Sequence, residues 1–214
     1  MPQDIYNLSN NRGPTPFSQR HRFTTDFLWE MPWLRNADNA AVRAILGGWS
    51  VSGIVEASTG TPVDIEQSGS RTAGARPDFI GSSHEAAVFD NWDEPLADGN
   101  NPFGCSAHCY YYLDESAFGL APETTITDSQ GNSYDVLARP GTMSRNGIFR
   151  GGGWTTDIAL SKGFAVTEGS KISFRADFFN FFNKTNLGGP RDTMNSSRFG
   201  QITGAGSGRV VQFS

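Results

Sequence analysis

At 214 residues the chain is long enough for one or two ordinary soluble domains, and its 25 glycines and 11 prolines, with only 18% charged residues, point to a turn-rich β protein. A net charge of −5 leaves no basic footprint for nucleic acid. No apolar run reaches the length of a membrane-crossing helix, yet a mean hydropathy of −0.41 does not exclude a barrel, whose lipid face hides among alternating polar residues.

Residues Met1 to Gln19 are polar, Asn-rich and broken by proline, which predicts a loop. They show no basic, apolar and small-residue succession of a signal peptide, so the leader of an exported protein would lie upstream. Both ends read as cut from something longer. The first predicted strand covers 20–32: Phe23, Thr25, Phe27, Trp29 and Met31 alternate with Arg22, Thr24, Asp26, Leu28 and Glu30. Pro32 stops it, because proline cannot donate to a ladder. Trp33 to Gly48 is a connector with room for one or two helical turns, capped by Asn36 or Asp38.

The second strand spans 49–66. Val51, Gly53, Val55 and Ala57 take one side, and a bend at Thr59-Gly60-Thr61-Pro62 precedes Val63 and Ile65. Residues 67–150 have no sustained period and read as one long loop. The third and fourth strands, 154–166 and 171–183, form a hairpin across the turn Thr167-Glu168-Gly169-Ser170. One face carries Trp154, Thr156, Ile158, Leu160, Phe164 and Val166, then Ile172, Phe174, Ala176, Phe178 and Phe182. Thr155, Asp157, Lys171, Ser173, Arg175 and Asp177 belong to the other. After a loop over 185–198, a last interrupted strand covers 199–213.

Strands with one greasy and one charged face suit either a soluble sandwich or an outer-membrane barrel. The connections decide between them. A structureless stretch as long as 67–150 is rare in a compact soluble domain, whereas barrels combine short turns on one side with long loops on the other. The fold class is therefore all-β: an antiparallel up-and-down meander, part of a transmembrane β-barrel, with one long extracellular loop.

Several segments, in order, carry a family resemblance: HRFTTDFLWEMPW, LGGWSVSGIVEASTGTPVDI, ARPDFIG, SRNGIFRGGGWTTDIALSKGFAV, KISFRADFFNFFNKTNLGGP and FGQIT. The chain resembles the C-terminal barrel segment of TonB-dependent outer-membrane receptors of the Oar-like type, which carry a carboxypeptidase-regulatory-like domain. The resemblance implies about the last five strands of a barrel of roughly 22, and a Gram-negative outer-membrane location. It also implies uptake of a ligand captured by extracellular loops and moved by a plug that TonB drives. The partners implied are outer-membrane lipid, the rest of the barrel and plug, TonB through that plug, and an imported ligand. The plug and its TonB-binding segment have no counterpart in these residues. The sequence also stops short of the terminal aromatic usual in the family.

Candidate chemistry is sparse, and no catalytic, cofactor or metal site is expected. Cys105-Ser106-Ala107-His108-Cys109 has ligand character, but a zinc site would need a fourth ligand that is missing. In an exported loop a Cys105–Cys109 disulfide is favoured over free thiols. His21 and His84 have no nucleophile beside them. Asp26, Glu30, Glu56, Asp157, Arg175 and Asp177 read as a hydrated lumen with cross-strand compensation rather than an active site. Gly151-Gly152-Gly153 enters a strand and is no phosphate cradle. The phenylalanines at 178, 179, 181 and 182 suit a girdle or core. Tyr110, Tyr111 and Tyr112, in the long loop, are the candidates for ligand contact. A secreted or surface β-sandwich binding module for carbohydrate and a passive porin wall are the competing readings. Five strands with open edges and an oily face are expected to aggregate in water without detergent.

Overall fold

The computed structural model describes residues 3–4, 6–96, 109–167 and 169–214. The main elements are β1 (Arg22–Glu30), α1 (Ala40–Leu46), β2 (Trp49–Ser58), β3 (Glu123–Thr127), β4 (Ser133–Leu137), β5 (Gly153–Thr167), β6 (Ser170–Phe179) and β7 (Val210–Phe213). Among the described residues, no helix is long and apolar enough to cross a membrane. The chain forms two compact units. One comprises 20–59, 152–186 and 206–214; the other comprises 1–19, 60–151 and 187–205.

The first unit is a five-stranded antiparallel sheet in the order β1-β2-β5-β6-β7, an up-and-down meander. Directly paired residues share a face, so the register tests the predicted alternation. Phe27 pairs with Gly53, Gly53 with Ile158, and Ile158 with Phe178. One row on, Trp29, Val51, Leu160, Ala176 and Phe213 line up across all five strands. The opposite face runs Asp26, Ile54, Asp157 in one row and Leu28, Ser52, Ala159, Asp177 in the next. The apolar and polar faces therefore fall where alternation placed them. Among the described residues, no second sheet of this unit covers the apolar face, and Phe23, Phe27 and Phe213 remain exposed. A sandwich would have buried them.

Gly53 sits at the centre of this sheet for a steric reason. A Cβ there would stand 2.8 Å from the Phe27 ring and from the Asp157 carbonyl oxygen. The ring lies over the glycine and fills the place of the missing side chain.

Three strand limits differ from the sequence expectation. The strand predicted over 49–66 ends at Ser58; Pro62–Val63 pairs instead with Ile148–Phe149 in the second unit. The strand predicted over 171–183 ends at Phe179, because Asn180 turns to φ +49° and donates its N–H to the Asp157 carboxylate at 2.8 Å. Of the strand predicted over 199–213, Gln201–Ile202 pairs with Tyr110–Tyr111 in the second unit, and Val210–Phe213 alone joins the sheet.

The second unit replaces the expected irregular loop. Residues from widely separated parts of its segments 60–151 and 187–205 build its core, among them Val63, Leu113, Phe118, Ile148, Met194 and Phe199. Two-residue pairings hold its backbone, and buried side chains complete the hydrogen bonding that longer strands would supply. Gln67 accepts from the Ala121 N–H at 2.8 Å and donates to the Ala121 carbonyl at 3.1 Å. Gln3 ties the N-terminal segment in: it accepts from the Arg76 N–H and donates to the Gly141 carbonyl. Within the unit, β3 and β4 form a hairpin whose turn is organised by Asp128. Its carboxylate accepts from the N–H groups of Gln130 and Asn132 and from the Tyr134 hydroxyl.

Candidate functional site

The polar face of the sheet brings together the charges singled out in the sequence. Arg22 donates to Glu56 at 3.1 Å, and Arg175 to Asp177 at 2.7 Å, both exposed to water. Glu30 meets Arg35 at 3.4 Å. Asp157 accepts from the Asn180 N–H, which holds the strand end rather than a reacting group. Asp26, Asp157, Arg175 and Asp177 border an open hollow of about 390 Å³. Among the described residues, no cluster of three or more carboxylate, histidine or cysteine groups is placed to hold a metal ion. Exposed pairs of this kind are worth little in stability. What the face offers is a wettable surface on which most charges have opposite neighbours.

The apolar face ends in aromatic groups. Near the Trp154 end, Trp154 meets Phe182 edge-on at 5.8 Å, and Phe182 meets Phe181 at 5.2 Å. Near the other end, Trp49 meets Phe174 at 6.0 Å and Trp29 meets Trp33 at 5.0 Å. The row from Trp154 to Phe164 covers about 33 Å of strand at about 3.3 Å per residue. At a tilt of about 40° this is about 25 Å of height, the thickness of a barrel's apolar band between its aromatic girdles.

One residue on this face escaped the sequence reading. Lys162 occupies the apolar row between Leu160 and Phe164, yet only 5% of it is exposed. It pairs across the sheet with Trp49 and Phe174, and its ammonium lies 5.5 Å from the Trp49 ring and 5.1 Å from the Phe164 ring. Its Nζ donates to the Ile45 carbonyl at 3.1 Å and to the Gly47 carbonyl. The lysine is thus paid in hydrogen bonds by the end of α1. The available signal was the break in alternation at position 162.

The loop candidates look different in three dimensions. Tyr111 and Tyr112 are 4% and 5% exposed, and Tyr110 is half-buried. Tyr112 packs edge-on to Trp92 at 5.3 Å and donates its hydroxyl to the Phe149 carbonyl. Burial drives its phenol up to about 12. Tyr111 is also pushed up by burial. These two side chains are core, with little surface to offer a ligand, because the stretch that reads as loop packs against Phe199 to Ile202.

Cys109 is buried and disulfide-bonded, while Cys105 and His108 lie outside the described residues. His84 is half-buried with its ring edge-on to Phe79 at 4.9 Å, and His21 is exposed at the start of β1. Gly153 opens β5, and the preceding glycines lead into it without a helix.

A protein-family model described as an outer membrane beta barrel domain matches residues 1–212. Comparison with curated proteins and with solved structures gave no match.

Proposed function

Since the chain belongs to the outer membrane beta barrel domain family, and so to a protein of the Gram-negative outer membrane, we propose that it forms wall strands of a TonB-dependent receptor that imports a ligand. The two-faced meander carries this reading: its oily rows span one apolar band, and its charged rows are compensated as a hydrated lumen requires. The outer strands β1 and β7 each pair on one side only among the described residues, which suits a wall continued by further strands.

Connectivity supports an orientation. Arg22 at the start of β1, Ser58 at the end of β2 and Gly153 at the start of β5 are paired in one row. The chain therefore passes between the two units from one end of these strands, while the connection from Thr167 to Ser170 and the α1 connector join strands at the other. We place the second unit outside the cell and the short connections in the periplasm.

A plugged receptor and a passive porin share this wall, and conductance separates them. In planar bilayers the whole receptor is expected to stay silent until its plug is loosened with urea. Steady conductance on insertion, without denaturant, would instead make the protein a porin. We further propose that the Cys109 disulfide is made with Cys105. Protein alkylated without reductant should then carry no label on either thiol, and label at Cys105 would refute the pairing.

A further inference from the structure

We propose that the β1–β2 connector, residues 31–48, is a membrane-interface anchor that seats in the phospholipid leaflet on the periplasmic side. This goes beyond a wall function and rests on the orientation proposed above.

The connector folds onto the apolar face rather than away from it. Trp29 of that face meets the Trp33 ring. Trp49 of that face donates its indole N–H to the Ile45 carbonyl at 3.1 Å. Lys162 of that face holds the Ile45 and Gly47 carbonyls. Three side chains that point toward lipid thus fix the connector on the lipid side of the wall.

The connector exposes four large apolar side chains among polar ones such as Asn36, Asp38 and Arg43. Trp33 is 62% exposed, Ile45 61% and Leu46 54%, beside Leu34. These side chains continue the oily surface already assigned to the membrane, at the level of its girdle. Leu34 adds an independent sign. It sits at φ +57°, a conformation that costs a bulky residue about 1–2 kcal/mol and that glycine or asparagine would take more easily. A leucine held there at that cost is held for its side chain. Arg43 stands on the same segment as a cation with no carboxylate partner among the described residues, while Arg35 is paired with Glu30 at 3.4 Å. Apolar side chains with Trp beside cationic groups match the boundary between acyl chains and anionic headgroups. α1 has its own cap, Asn39, whose Oδ1 accepts from the Ala41 and Val42 N–H groups.

The test uses single cysteines replacing Ile45, Leu46, Asp38 and Phe27 in the whole protein, labelled with bimane without reductant and reconstituted in phosphatidylethanolamine–phosphatidylglycerol vesicles. Labels at Ile45 and Leu46 are expected to shift to the blue and lose most of their emission to brominated phospholipid. The label at Asp38 should stay water-like. Phe27 is the control, expected to be quenched as wall. If Phe27 is quenched while Ile45 and Leu46 remain water-like, the anchor is refuted and the wall stands. If Phe27 itself is unquenched, both fall. In intact cells, an impermeant maleimide should fail to reach Asp38→Cys from outside; labelling there would put the connector in the wrong leaflet and overturn the proposal. A protein partner covering the connector would show as labels that are blue-shifted yet untouched by bromolipid, which also refutes it.

Discussion

Phe27→Arg is expected to cost about 2–4 kcal/mol of folding stability in the membrane, while Asp26→Arg, one residue earlier, costs well under half as much. Phe27 belongs to the row Phe27–Gly53–Ile158–Phe178, inside the apolar band and away from both aromatic ends. A guanidinium there must either enter hydrocarbon or distort the strand to reach a headgroup. Asp26 belongs to the opposite face, where its row holds Ile54 and Asp157 and the hollow is open to solvent. An arginine there gains a carboxylate neighbour and stays wet. Urea titration of the protein folded in lipid vesicles measures both costs. Equal costs would mean that the two faces meet the same environment, and the assignment of lipid and lumen would fail.

The contrast between these neighbours was legible in the sequence because a strand has period two and lipid tolerates no charge. Everything that depends on that rule was readable: the five strands, their order and their faces. Three features were hidden, each for its own reason. Strand ends were missed at Ser58 and Phe179 because alternation continues past both. What stops β6 is the left-handed backbone of Asn180 and its bond to Asp157, which is a contact between strands rather than a local pattern. The second unit was hidden because its core has no period to read. Val63 pairs with Ile148, Phe79 with Phe118 and Tyr110 with Ile202, each in a ladder of two residues, so none of these core stretches shows a repeat. Lys162 was hidden because a lysine in an oily row carries no meaning until the carbonyls that receive it, from α1, are in place. The charged face was legible as composition; its pairings, Arg22 with Glu56 and Arg175 with Asp177, follow from register and reach.

The second unit makes the other large prediction, because Tyr112 joins its parts. Tyr112 bonds the Phe149 carbonyl, packs on Trp92 and belongs to one core with Phe199 and Ile202. Tyr112→Ala is expected to cost this unit about 3–5 kcal/mol, the range for removing a buried aromatic side chain. Tyr112→Phe removes the hydroxyl alone and should cost about 1 kcal/mol. The tyrosine also makes stability depend on pH, and the sign follows from its raised value. Between the ordinary phenol value near 10 and the folded value of about 12, the unfolded chain releases the proton and the folded chain keeps it. The contribution is complete below pH 10 and declines as pH rises toward 12, by about 2–3 kcal/mol at the end of that window. Hydrogen exchange of the Tyr112 and Phe149 amides should therefore accelerate above pH 10 beyond the intrinsic base-catalysed rate, and Tyr112→Phe should abolish that excess. If the wild type and Tyr112→Phe exchange with the same pH profile, Tyr112 is not sealed in the core. The segment from Tyr110 to Tyr112 would then regain the surface a ligand needs.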